Sequence, residues 1–165
     1  MAGLLRKIVR AVTAKPAAPP LQAGSVAPPF SVRDHEGRTV RLEDLKGRKV
    51  LLWFFPKADT PGCTAQGCAL RDRVRDFESK GVVILGASFD DQAANRSFAA
   101  KFEFPFPLLC DTERELGLAY RACPDASAGH PRRMTYLIDE RGVISHVLPD
   151  VDPKTHADLV FSMLG

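Results

Sequence analysis

Residues Lys49–Phe55 (KVLLWFF) run apolar from Val50 onward with no alternation of polar and apolar positions. A strand with one wet face alternates, so an unalternated run belongs to a strand covered on both faces, at the centre of a sheet held between helices. Val82–Ser88 (VVILGAS) is a second run of this kind. Neither approaches the roughly 20 residues needed to cross a bilayer, so no integral membrane association is expected.

The remaining pattern fills in around these strands. Phe30–Val32 and Thr39–Arg41 flank a turn containing Gly37 and predict a small hairpin, followed by a helical turn at Leu42–Leu45 closed by Gly47. After Pro56–Gly62, Ala65, Ala69, Leu70, Val74 and Phe77 recur at helical spacing, with Arg71, Asp72, Arg73, Arg75 and Asp76 on the wet side and Gly81 as the stop. A helix over Asp90–Phe102, an extended Pro105–Cys110, a short helix Glu113–Tyr120, a hairpin of Met134–Asp139 with Val143–Leu148 and a last helix Pro153–Leu164 complete the order. Strand, helix, strand, helix, hairpin, helix predicts an α/β thioredoxin-like fold: a central mixed β-sheet flanked by helices, with an N-terminal β-hairpin.

A chain of 165 residues, 45% hydrophobic, suits one globular domain, here residues 23–165. Residues 1–22 read as an extension. Leu4, Leu5, Ile8, Val9 and Val12 fall at helical spacing among Arg6, Lys7 and Arg10, and Lys15–Pro20 (KPAAPP) then forms a linker. Three readings stay open for it: a frayed tail, a helix docked on this or another subunit, and weak contact with a membrane surface. The net charge of +3 comes from interspersed charges, 23 basic against 20 acidic, so no nucleic-acid partner is implied. Arg6, Lys7 and Arg10 also interrupt any cleavable signal, which points to a reducing, cytoplasmic location.

Four cysteines, Cys63, Cys68, Cys110 and Cys123, lack the paired spacing of a metal site. Nor do His35, His130, His146 and His156 assemble one; all four are expected at the surface, with His130 able to border a pocket beside Arg133. The stretch Phe55–Cys68 (FPKADTPGCTAQGC) concentrates the chemistry. A buried strand ends at Pro56, a loop with Thr60, Pro61 and Gly62 follows, and Cys63 enters the first turn of a helix. Unpaired N–H groups and the positive end of the helix dipole favour a thiolate there. Thr60 can bring its hydroxyl to the same pocket, and Pro56 and Pro61 stiffen the loop. The plainer reading is a buried structural cysteine.

Cys68 lies five positions further on, about 8.7 Å away in an ideal helix, whereas a disulfide needs α-carbons within roughly 7 Å. Were these two to bond, the first turns of the helix would have to unwind, which Gly67 eases by about 1 kcal/mol relative to alanine. Otherwise Cys68 is a small buried hydrophobe.

The stretch FFPKADTPGCTAQGCALRD resembles the active-site signature of peroxiredoxins, and in particular the bacterioferritin-comigratory-protein, or peroxiredoxin Q, subfamily. Pro56, Thr60 and Cys63 match its Pro, three residues, Thr or Ser, two residues, Cys pattern. VVILGASFDDQAANRSFAAKFEFPFPLLCD and RRMTYLIDERGVI are similar to two further segments of that subfamily, with Cys110 where serine is common. The resemblance implies a thiol-dependent peroxidase that reduces hydrogen peroxide and organic hydroperoxides without a cofactor. Cys63 would be the peroxidatic cysteine, Thr60 would hydrogen-bond the peroxide, and Arg133 would polarise it and stabilise the thiolate, unless Arg133 is only an exposed strand charge. Arg132 would point to the opposite side of the strand. Cys68 would resolve the sulfenic acid as an intramolecular disulfide, reduced by thioredoxin or a glutaredoxin-like dithiol, and the protein would be a monomer or weak homodimer. Cys110 reads as a packed thiol; Cys123, before Pro124 in a polar loop, is open to exposure and then to glutathionylation or cross-linking. The alternatives are a thiol-disulfide oxidoreductase, disfavoured by CxxxxC spacing, and a noncatalytic thioredoxin-like chaperone or binding module.

Overall fold

In the computed structural model, which describes residues 18–165, the elements in chain order are β1 (Ser31–Arg33), β2 (Thr39–Arg41), a 3₁₀ turn (Leu42–Leu45), β3 (Lys49–Phe54), α1 (Pro61–Asp72), α2 (Val74–Ser79), β4 (Val82–Ser88), α3 (Gln92–Lys101), β5 (Leu108–Cys110), α4 (Glu115–Ala119), β6 (Met134–Ile138), β7 (Ile144–Leu148) and α5 (His156–Ser162). β1 and β2 pair as the expected hairpin, and the other five strands form one sheet in the order β5-β4-β3-β6-β7. The two unalternated runs are its inner strands: β3 pairs parallel with β4 and antiparallel with β6. The mixed sheet with helices around it is the predicted architecture.

Alternation along β3 splits the core in two. Leu51 and Trp53 face a cluster closed by Leu70 of α1, Phe77 of α2, Phe98 of α3 and Val160 of α5. Val50, Leu52 and Phe54 face a second cluster with Leu42, Leu116 and Tyr120, covered by the hairpin and α4. The steps β3 to β4 and β4 to β5 go the same way across the sheet, and right-handed crossovers therefore put α1, α2 and α3 on one face. Register also fixes where chemistry can occur. Phe54, at the carboxyl end of β3, pairs with Met134, the first residue of β6. The loop into α1 and the residue before β6, Arg133, are thereby brought together although they are distant in sequence.

Several boundaries differ from expectation. The helix predicted to run to Gly81 breaks at Arg73 (φ −109°, ψ 12°) into α1 and α2. Leu70 and Phe77 both remain fully buried, so the apolar periodicity passes through the break unchanged and concealed it. Arg73 itself is held by α5: Nη1 donates to Asp158 Oδ1 at 2.7 Å, and the guanidinium lies 4.1 Å from the centroid of the Phe161 ring. β5 is shorter than Pro105–Cys110, because Pro105 and Pro107 have no N–H to give a ladder. α5 begins at His156 and not Pro153, since the Asp152 carboxylate accepts from Lys154 N and makes a turn there. The amphipathic stretch Met1–Ala14 lies outside the described residues. At the end of the Pro-rich linker, Leu21 packs on the second cluster and its N–H donates to the Tyr136 hydroxyl at 3.2 Å.

Candidate active site

Cys63 is fully buried in the first turn of α1, as its place after a Pro-Gly step predicts. Thr60 is the N-cap, with extended backbone (φ −97°, ψ 156°), and Pro61 supplies the fixed φ of the first helical position. The first intrahelical bond runs from Thr64 N to Thr60 O at 2.9 Å, which leaves the N–H groups of Gly62 and Cys63 ahead of the ladder. They point, with the helix dipole, toward whatever charge Cys63 carries.

The loop before the helix is pinned from several sides. Ala58 N donates to Asp90 Oδ2 at 2.8 Å, and Asp59, in the left-handed region at φ 58°, is bonded through both carboxylate oxygens to Lys101 Nζ of α3. Thr60 does not cap α1 with its side chain; its Oγ1 donates to Lys57 O at 2.7 Å. With its proton so committed, that oxygen faces any ligand as an acceptor. Pro56 is half-buried at the mouth of the loop.

From the other side comes Arg133. Its Nη2 donates to Cys63 Sγ at 3.4 Å and its Nη1 to Gln66 Oε1 at 2.7 Å. Gln66 is fully buried one turn beyond Cys63 on the same face of α1, so one guanidinium bridges two positions of the helix. Space for it depends on Gly62, where a Cβ would stand 2.9 Å from Nη2. Arg133 is thus half-buried and bonded to α1 and not an exposed strand charge, while Arg132 turns to the opposite side, where its charge bears on Tyr136. The structure brings Arg133 to Cys63 and sets Thr60 at the N-cap three residues before it. It adds Gln66, whose one sequence signal was its place three and four residues before Ala69 and Leu70 on the apolar stripe of α1, a signal its polarity masked.

Cys68 is half-buried on α1, packed against the first apolar cluster, and all four cysteines are free thiols. Between it and Cys63, Gly67 lets Phe104 lie against the helix: a Cβ there would stand 2.5 Å from the ring's Cζ. Sequence reading saw only the weakening of the helix. Cys123, expected in an accessible loop, is 3% exposed, and its Sγ packs beside Gly117. Burial pushes the Cys123 thiol up, helped by Asp111 and Asp125; burial likewise raises the half-buried Cys110. Both shifts favour the protonated thiol over the thiolate at neutral pH.

Two histidines also depart from expectation. His35 is buried, its Nδ1 accepting from Leu108 N at 3.1 Å. His156 is 1% exposed, its Nε2 2.8 Å from Thr135 Oγ1, and burial together with the Arg133 charge pushes its pKa down to about 4. The N–H pattern of α5 follows from its turn, but the inward aim of His156 has no signature in a helix whose apolar stripe is short.

The protein-family model described as the AhpC/TSA family matches residues 23–147. The chain is 39% identical over 150 residues to peroxiredoxin Bcp of Escherichia coli, covering 88% of this chain and 96% of that protein. It is 37% identical over 134 residues to the chloroplastic peroxiredoxin Q of Triticum aestivum, covering 81% of this chain but spanning 62% of that protein's length. Among solved structures, peroxidoxin BcpB from Mycobacterium tuberculosis superposes with a TM-score of 0.81 at 27% identity, covering 87% of this chain and 96% of that one.

Proposed function

The chain belongs to the AhpC/TSA family, in its peroxiredoxin Q/Bcp branch, and we propose that it is a thiol-dependent peroxidase whose peroxidatic residue is Cys63. The observation that carries this reading is the 3.4 Å contact of Arg133 Nη2 with a sulfur at a helix N-terminus. A guanidinium stays charged and offers several donors in one plane, so it can hold a thiolate and a peroxide oxygen together.

Hydrogen peroxide or an organic hydroperoxide enters beside Thr60, whose Oγ1 accepts the peroxide O–H. Arg133 and the N–H groups of Gly62 and Cys63 donate to its oxygens. The Cys63 thiolate attacks one oxygen and the O–O bond breaks. Sulfur is oxidised to sulfenic acid, and the other oxygen leaves as water or alcohol after taking up a proton. Cys68 then attacks the sulfenic sulfur, releasing water and forming a Cys63–Cys68 disulfide. A thioredoxin- or glutaredoxin-like dithiol in a reducing compartment returns both thiols by exchange. CxxxxC spacing in a regular helix supports local unwinding of α1 in the oxidised form.

The test is mass spectrometry of the reduced protein after one equivalent of hydrogen peroxide, with nonreducing digestion that separates the four cysteines. A Cys63–Cys68 link is expected. Sulfenic or sulfinic acid at Cys63 without a link would remove Cys68 from the cycle, and an untouched Cys63 would sink the peroxidase reading.

A further inference from the structure

Arg133, the residue before β6, and Thr135, the second residue of β6, are two positions apart and so project to the same face of the sheet. Arg133 reaches Cys63 there, and Thr135 meets His156, the first residue of α5, at 2.8 Å. Just ahead of α5, Pro153 borders the same glycine of α1 as the guanidinium. The position a Cβ would take on Gly62 lies 2.9 Å from Arg133 Nη2 and 3.7 Å from Pro153 Cγ, so α1, the arginine and the α5 turn converge at one point. That turn is tied to His156 itself, whose N–H donates to Asp152 O at 3.0 Å. The imidazole is a costly way to fasten a helix. Its Nδ1 is buried with no hydrogen-bond partner among the described residues, a desolvation penalty that an apolar residue would avoid.

We propose that His156 is a positioning residue for Arg133: through Thr135 it fixes α5 and the Pro153 turn against β6, and so sets where the guanidinium meets Cys63. Neutrality is part of the role. A cationic side chain at His156 would repel Arg133, whereas a neutral one leaves the arginine as the cation that faces the sulfur. The depressed basicity of His156 agrees with this, because the Arg133 charge is one of its two causes.

The inference rests on the peroxidase reading, and a double-mutant cycle tests it. The rate constant of the reduced full chain with hydrogen peroxide, read by competition with a haem peroxidase, is compared for His156→Leu with Arg133 present and in an Arg133→Ala background. With Arg133 present the rate should fall about tenfold, and without it His156→Leu should change nothing further. His156→Gln, whose side-chain nitrogen can still reach the Thr135 hydroxyl, should stay within about threefold of the native rate. Equal losses in both backgrounds, no loss at all, or no rescue by glutamine would overturn the proposal. If His156→Leu does not fold, Thr135→Val breaks the same link. A native protein inert to peroxide would defeat the peroxidase reading alone, and the same cycle read by the rate of Cys63 alkylation would still decide on His156.

Discussion

The Phe104 ring packs against α1 at Gly67, four residues after Cys63 and directly before Cys68. The ring is part of an aromatic chain, stacked on Phe106 at 5.2 Å and edge-on to Phe98 at 4.9 Å, so it cannot withdraw alone. Gly67→Ala should therefore lower the stability of the reduced protein by up to about 2 kcal/mol: overpacking of about 1–3 kcal/mol set against about 1 kcal/mol of helix propensity. Urea melts of the reduced variant measure it, and a stabilised protein would contradict the contact.

Gly62→Ala meets a different neighbour. The atom in the way is the end of a flexible arginine, so the fold should survive and the guanidinium should move. Peroxide reactivity should fall about 10–100-fold while the melting temperature hardly changes. Loss of stability without loss of rate would be the contrary result.

The two helix cysteines separate by role. Cys63→Ser should abolish peroxide turnover. Cys68→Ser should still consume one equivalent of peroxide and then fail to recycle with a thioredoxin-type dithiol. Full turnover in Cys68→Ser would assign resolution to another thiol.

Stability should decline on the acid side. His156 has a native pKa near 4 against 6.5 when unfolded, so between these values the unfolded chain binds the extra proton. The stabilisation is complete above about pH 6.5 and is lost as pH falls toward 4, in all about 3 kcal/mol. His35, also lowered by burial, adds in the same direction. Urea melts at pH 7 and pH 4.5 should show the loss, and His156→Gln should shrink it.

Cys110 and Cys123 should resist alkylation in the folded protein and react on unfolding, since burial keeps both thiols protonated. Peptide mapping after a brief iodoacetamide pulse checks this. Rapid native labelling of Cys123 would mean that its loop opens.

The sheet and the cysteine site were legible because each leaves a local mark: an unalternated run for β3, and a Thr-Pro-Gly-Cys turn at a helix start for Cys63. Arg133 needed the family resemblance to be singled out, and only the β3–β6 register explains why it arrives at Cys63. What stayed hidden were inward-facing polar residues. Gln66 and His156 share the helical spacing of apolar neighbours, Gln66 four residues before Leu70 and His156 four before Val160, but their polar side chains find partners only far along the chain: Arg133 for one, Thr135 for the other. Cys123 was hidden for the same reason, since its polar flanks say nothing of the Gly117 groove it fills.

The bond from Arg133 to Cys63 spans 70 positions of sequence. During synthesis the thiol emerges long before the strand that carries its guanidinium, and the helix that steadies that strand comes last of all. A nascent or misfolded chain therefore presents Cys63 without the guanidinium that meets it in the finished fold. On the peroxidase reading proposed above, reactivity toward oxidants then becomes a property of the finished fold.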